Sequence, residues 1–123
     1  MTARELLAFE RGHAEGQALV YSQQVFAGSK LAATLQVKVR FLPDVEETCA
    51  REGCFIVTET EGDWAFVWIY KYPFVRLLID VIKKRGTPKS ALDTWVNGKL
   101  FGYSDYEIVQ ALIEEGYIER EIT

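Results

Sequence analysis

The chain is poor in the residues from which catalytic and metal sites are usually built. One histidine, two cysteines and one methionine occur among 123 residues. The cysteines, Cys49 and Cys54, are spaced C-x4-C. With a lone histidine they cannot close a four-ligand zinc site without carboxylates or a second chain, and a cytosolic pair is expected as two reduced thiols. No G-x-S-x-G, H-E-x-x-H or P-loop pattern is present, so the common signatures of serine hydrolysis, zinc proteolysis and nucleotide-phosphate binding are missing. No apolar run approaches the roughly 20 residues of a membrane span, and Met1–Glu5 lacks the apolar stretch of a secretory signal. A basic surplus is missing too. The net charge is −4, which argues against a global electrostatic footprint for nucleic acid. These absences predict a cytoplasmic protein with no metal, no cofactor, no membrane partner and no catalytic residue.

What the chain does have is aromatic and apolar content, at 13% and 49% of residues. That is enough to offset the entropy of ordering a core, and the length suits a single domain spanning 1–123. Trp64, Phe66, Trp68, Tyr70 and Tyr72 alternate along Asp63–Pro73. Side chains of a strand alternate between faces, so this spacing predicts five rings on one face of one strand. Cys54–Thr60 reads as the preceding strand, with a turn at Glu61-Gly62. A symmetric loop would pair Val57 with Phe66 and Phe55 with Trp68. Both faces of this 54–72 hairpin are largely apolar, so both are expected to be covered, by helices or by a partner.

The remaining elements follow from caps and periodicity. Thr2 and Glu5 form a capping-box pattern for a short helix to about residue 11, followed by a loop at Gly12–Gly16 that carries His13, and a strand at Ala18–Tyr21. Alternation predicts a second strand over residues 35–41. Asp44, Glu46, Arg51 and Gly53 mark a helix over 44–52. Pro73 opens a helix expected to be the most buried. Thr87-Pro88 opens another, with Leu92, Trp95 and Val96 inward, and Ser104/Glu107 caps a third. Tyr117–Ile122 is expected to close the sheet as an edge strand. The fold class is therefore α+β: an antiparallel sheet with a central aromatic-rich hairpin, and helices packed on it that include a C-terminal run of three.

Charge is segregated near the end of the chain. Residues 71–99 hold seven basic and two acidic side chains, a net of +5, whereas residues 100–123 hold one basic and six acidic, a net of −5. The two blocks either neutralise each other in the fold or offer complementary surfaces. The last two helices have helix-turn-helix spacing, and Leu100–Ile108 resembles the turn-helix starts of small helical modules such as ubiquitin-associated domains. The acidic residues Asp105, Glu107, Glu114 and Glu115 on the second helix argue against DNA reading, since phosphate would repel them. His13, beside Glu10 and Glu15, reads as a surface histidine. Cys49 follows two carboxylates, which disfavour its thiolate.

Function is then read from exposed aromatics and unpaired charge. Large apolar patches with polar rims mark partner sites, and interface cores are rich in aromatic residues. The expected role is a non-enzymatic protein-interaction or regulatory module that binds a protein partner or a second copy of itself through Trp64, Tyr72, Tyr103, Tyr106, Lys38 and Arg40. The alternative is a small-molecule or nucleotide-binding enzyme with a pocket beside the aromatic face, using His13, Tyr21 or Arg40. Nucleic-acid binding through the C-terminal helix pair ranks third.

Overall fold

The computed structural model describes residues 1–86 and 88–119. Among these residues five helices surround a three-stranded antiparallel sheet, an α+β architecture. The elements are α1 (Ala3–Ala27), β1 (Ala32–Lys38), a 3₁₀ turn (Val39–Phe41), α2 (Leu42–Arg51), β2 (Phe55–Glu61), β3 (Trp64–Tyr70), α3 (Pro73–Arg85), α4 (Ala91–Leu100) and α5 (Asp105–Glu114).

The largest departure from expectation lies at the N-terminus. In place of a short helix, a loop and a strand there is one uninterrupted helix, α1. Thr2 caps it by accepting from the Glu5 N–H at 3.1 Å, and Gly28 ends it in the left-handed conformation at φ +88°. Gly12 and Gly16 each cost a helix about 1 kcal/mol relative to alanine, and the apolar run Ala18–Tyr21 mimics a strand. Packing overrides both signals. Ala14, Ala18, Ser22 and Val25 recur at helical spacing and are all buried, so a narrow stripe of mostly small side chains lets α1 lie close against the sheet.

The sheet order is β1-β3-β2, so only the second arm of the aromatic hairpin is central and β1 and β2 are both edges. Val57 pairs with Trp68 and Phe55 with Tyr70. This register is shifted by two residues from the symmetric expectation, because the loop is the two-residue Gly62-Asp63 rather than one built on Glu61-Gly62. A positive φ at Gly62 and at no non-glycine residue fits a type II′ hairpin turn, which needs glycine in its first central position. A slip of two leaves every side chain on its expected face.

Ala65, Val67 and Ile69 of β3 are fully buried. They meet Ala33, Leu35 and Val37 of β1, together with α1 and α2 residues that include Ala18, Val25, Val45 and Cys49. The opposite face is covered at one end only. There Tyr70 and Val57 pack with Val75 and Ile79 of α3 and with Leu100 at the end of α4, and Trp68 lies 5.8 Å from the Phe101 ring. At the other end Phe66 is 39% exposed and Trp64 43%. The aromatic ladder thus begins as surface and ends as core. Tyr72, its fifth member, lies beyond the strand as the N-cap residue of α3.

Four further expectations are corrected. The β1 strand begins at Ala32 and stops at Lys38, earlier than predicted, because Val39–Phe41 winds into a 3₁₀ turn leading directly into α2. Helix α3 buries only Val75 and Ile79, while Phe74, Leu77 and Val81 face outward. It covers one part of one sheet face, and among the described residues nothing covers its far side. In α4, capped by Ser90, Leu92 and Trp95 are exposed, and the inward positions are Thr94, Gly98 and Leu100. Residues 115–119 form turns rather than a strand, and the rest of the expected closing strand lies outside the described residues. The α5 capping box forms as predicted, with Ser104 and Glu107 bonded reciprocally.

Candidate functional site

Among the described residues β1 pairs only with β3, so its second backbone edge has no strand partner there. Two hollows open along this edge. One, of about 410 Å³, is lined by Phe9, Glu10, His13 and Gln17 from α1 and by Gln36, Lys38 and Trp64 from the sheet. The other, of about 280 Å³, lies between Tyr21, Lys30, Thr34, Phe101 and Tyr103. Neighbouring β1 residues of opposite parity line each hollow, Gln36 with Val37 in the first and Ala33 with Thr34 in the second. Because successive side chains point to opposite faces, that parity mixture places both hollows at the strand edge and on neither face alone.

One stripe of α1 walls the edge from end to end. Glu10, His13, Gln17 and Tyr21 follow a spacing of three or four residues, which is one side of a helix. At the Trp64 end, a single Glu10 oxygen accepts from Lys38 Nζ at 3.4 Å and from Arg40 at 3.0 Å. Asp63 joins Lys38, Arg40 and Trp64 around an adjoining depression, and its carbonyl accepts from the Val39 N–H at 2.8 Å. The end of the trough is therefore a polar cluster of mixed sign beside an indole, open to solvent.

The two edges of the sheet differ in how they are guarded. The β2 strand carries Glu59 and Glu61 at its exposed end, and Glu59 pairs with Lys83 of α3. Charged residues on an edge strand discourage further pairing. In β1, the run Ala32–Val37 has no charge, no proline and no glycine, and its only charged residue is the terminal Lys38.

Of the residues predicted from sequence, Trp64, Lys38 and Arg40 come together at one end of this trough and Tyr103 stands at the other. Tyr72 does not join them. It lies at the opposite end of β3, stacked on Phe74 at 5.7 Å with the Lys71 ammonium over its ring. Tyr106 is exposed on α5, away from the sheet. Sequence reasoning did not bring Phe9 and Gln17 to this site and set His13 on a loop rather than on a helix, because it broke α1 at the glycines. Had Thr2–Gly28 been taken as one helix, the spacing of Glu10, His13, Gln17 and Tyr21 would have marked the stripe.

The two thiols are no part of this site. Burial pushes Cys49 and Cys54 up from the ordinary thiol range, and for Cys54 the neighbouring Cys49 and Glu52 add to the effect. Cys54 donates to the Ser22 carbonyl inside the core. Desolvation, more than the carboxylates preceding Cys49, makes both poor nucleophiles.

No protein-family model, curated protein or solved structure matches the chain. Among the described residues no helix is long and apolar enough to cross a membrane.

Proposed function

We propose that this protein is a protein-interaction module that takes an extended segment of a partner as a fourth strand on the free edge of β1. In strand addition, backbone hydrogen bonds supply affinity and pockets for alternate side chains supply specificity. The observation that carries this reading is the β1 edge, uncharged over Ala32–Val37 and unpaired among the described residues, with a hollow at each end. An incoming strand would bond to β1 and set side chains against Trp64 and Phe9 at one end and against Tyr21 and Tyr103 at the other. Lys38 and Arg40, sharing Glu10, would meet a polar or acidic residue of the segment.

The test is selection from a random peptide-display library, followed by amide chemical-shift mapping with a selected peptide. The expected result is perturbation of Ala33–Val37 amides and loss of binding in the double variant Thr34→Lys/Gln36→Lys. Both of these residues are exposed, so the variant charges the edge without touching the core. Peptides that bind equally well to this variant would overturn the reading.

A second reading rests on the size of the larger hollow. At about 410 Å³ it falls within the range of small-ligand sites, and His13, Gln17 and Lys38 converge there beside Trp64. A melting-temperature screen against nucleotides and metabolites separates the two readings, because a ligand that binds only the native state raises its stability.

A further inference from the structure

Two outward helix faces are left over once the sheet is covered, and they are complementary. On α3, Phe74, Leu77 and Val81 form an apolar stripe at i, i+3 and i+7, with Leu77 68% exposed. Between α3 and α4 runs a groove of about 210 Å³ floored by Leu78, Ile82 and Val96. Leu92, 65% exposed, stands at its lip. On α5, Tyr106, Val109 and Ile113 repeat the same spacing on the side away from the buried Ile108 and Leu112.

The net charges of the two blocks are opposite in sign, although many of the individual charges are paired within the chain. Arg76 pairs with Asp80, Arg85 with Asp93 and Lys83 with Glu59. The basic block therefore pairs within itself or with the sheet. Lys99–Asp105 is the one ion pair joining the basic block to the acidic block among the described residues. Lys84 and Lys89, next in sequence to the groove residues Arg85 and Pro88, form no ion pair among the described residues, and neither does Glu114, next to Ile113 of the α5 stripe.

From this geometry we infer that copies of this chain associate head to tail, the apolar α5 stripe of one, bordered by Glu114, seated in the α3–α4 groove of the next, whose own charges Arg85 and Asp93 pair with each other and whose border carries Lys84 and Lys89. Length permits it. A ten-residue helix spans about 15 Å and the thirteen-residue α3 about 20 Å. Charge selects this pairing over the symmetric ones. Two α3 helices laid antiparallel would set Lys84 beside the other copy's Lys71, two α5 helices would set glutamates together, and like-charge contacts are strongly disfavoured at interfaces. An interface between two different patches leaves one of each free at the ends, so association continues into rings or chains. The surface lies apart from the β1 edge, and the two proposals stand or fall separately.

The experiment is sedimentation velocity on the full chain from 5 to 500 µM in low and high salt. Wild type is expected to grow beyond dimer with concentration and to dissociate as salt rises. Val81→Glu blocks the groove and Val109→Arg blocks the stripe. Each variant alone is expected to be monomeric, and an equimolar mixture is expected to form a 1:1 dimer and nothing larger, since it retains one intact groove and one intact stripe. Leu92→Lys, at a more exposed position, replaces Val81→Glu if circular dichroism shows that the latter is unfolded. A wild type that stays monomeric at 500 µM would overturn the inference. So would a symmetric dimer that survives either variant, or folded variants whose mixture remains monomeric.

Discussion

Lys38 and Trp64 stand opposite one another across the β1–β3 ladder, at the end of the aromatic face that no helix covers. Four residues further along β3, Trp68 occupies the same face under Phe101. The two tryptophans therefore differ in what their removal should do. Trp64→Ala is expected to cost under about 1 kcal/mol of stability, since much of its ring is already in water, while weakening peptide binding at the trough. Trp68→Ala empties a packed site and is expected to cost about 2–4 kcal/mol. Urea denaturation of both variants checks the contrast, and equal losses would mean that the ladder is core throughout.

The glycines divide in the same way. An added Cβ at Gly12 or Gly16 meets nothing within 4 Å, and both lie inside α1. Alanine at each is expected to stabilise by about 0.5–1 kcal/mol. Gly102 is the reverse case. Its φ is +77°, and an added Cβ would lie 2.5 Å from the Ser29 carbonyl oxygen, where the loop after α4 crosses the turn after α1. Gly102→Ala combines a left-handed penalty of about 1–2 kcal/mol with overpacking of about 1–3 kcal/mol. Thermal melts should rise for the α1 pair and fall for Gly102→Ala.

That contrast also shows which parts of the fold could be read from the chain. The strands around Gly62 were legible because alternation and turn chemistry act locally, as they do at Ser104 and Glu107. The face on which each ring lies follows from period two and survived a register error of two residues. Helix α1 was not legible. Its glycines and its Ala18–Tyr21 run point away from helix, and the deciding contribution is a stripe of mostly small residues packing on strands far along the chain. Exposure of α3 and α4 was misjudged for a related reason. Apolar periodicity reports that a face is apolar, not that anything covers it. Lys38, Arg40 and Trp64 were found because charge and aromaticity are visible in sequence, whereas their α1 neighbours depended on the missed helix.

The Ser104–Glu107 capping box carries a pH prediction. The Ser104 backbone N–H, then its hydroxyl, hold the Glu107 carboxyl below the ordinary range. A carboxyl depressed in the folded state adds stability above its unfolded pKa and loses it as pH falls through the folded value. Glu107→Gln keeps the acceptor but removes the charge. The variant is expected to melt below wild type at pH 7, with the two curves converging below the unreacted carboxyl value of 4.5. A gap that persists unchanged to pH 3 would show that the charge contributes nothing.

Glu10 tests whether the end of the trough is built for stability or for binding. Its carboxylate accepts from both Lys38 and Arg40, and these side chains are substantially exposed. Exposed pairs contribute about 0–1 kcal/mol each, so Glu10→Gln should lower stability by no more than about 1 kcal/mol. The same change removes one negative charge beside the two cations, leaving Asp63 and Glu61, the β2 partner of Trp64, as nearby acidic residues, and a site with more net positive charge attracts anionic segments faster at low salt. Binding of an acidic peptide obtained by selection is therefore expected to strengthen several-fold in Glu10→Gln at low ionic strength, and the gain is expected to vanish near 0.5 M salt. A large stability loss with unchanged peptide affinity would instead assign the Glu10–Lys38–Arg40 cluster to holding α1 against the sheet, and the binding trough would then have to lie closer to Tyr103.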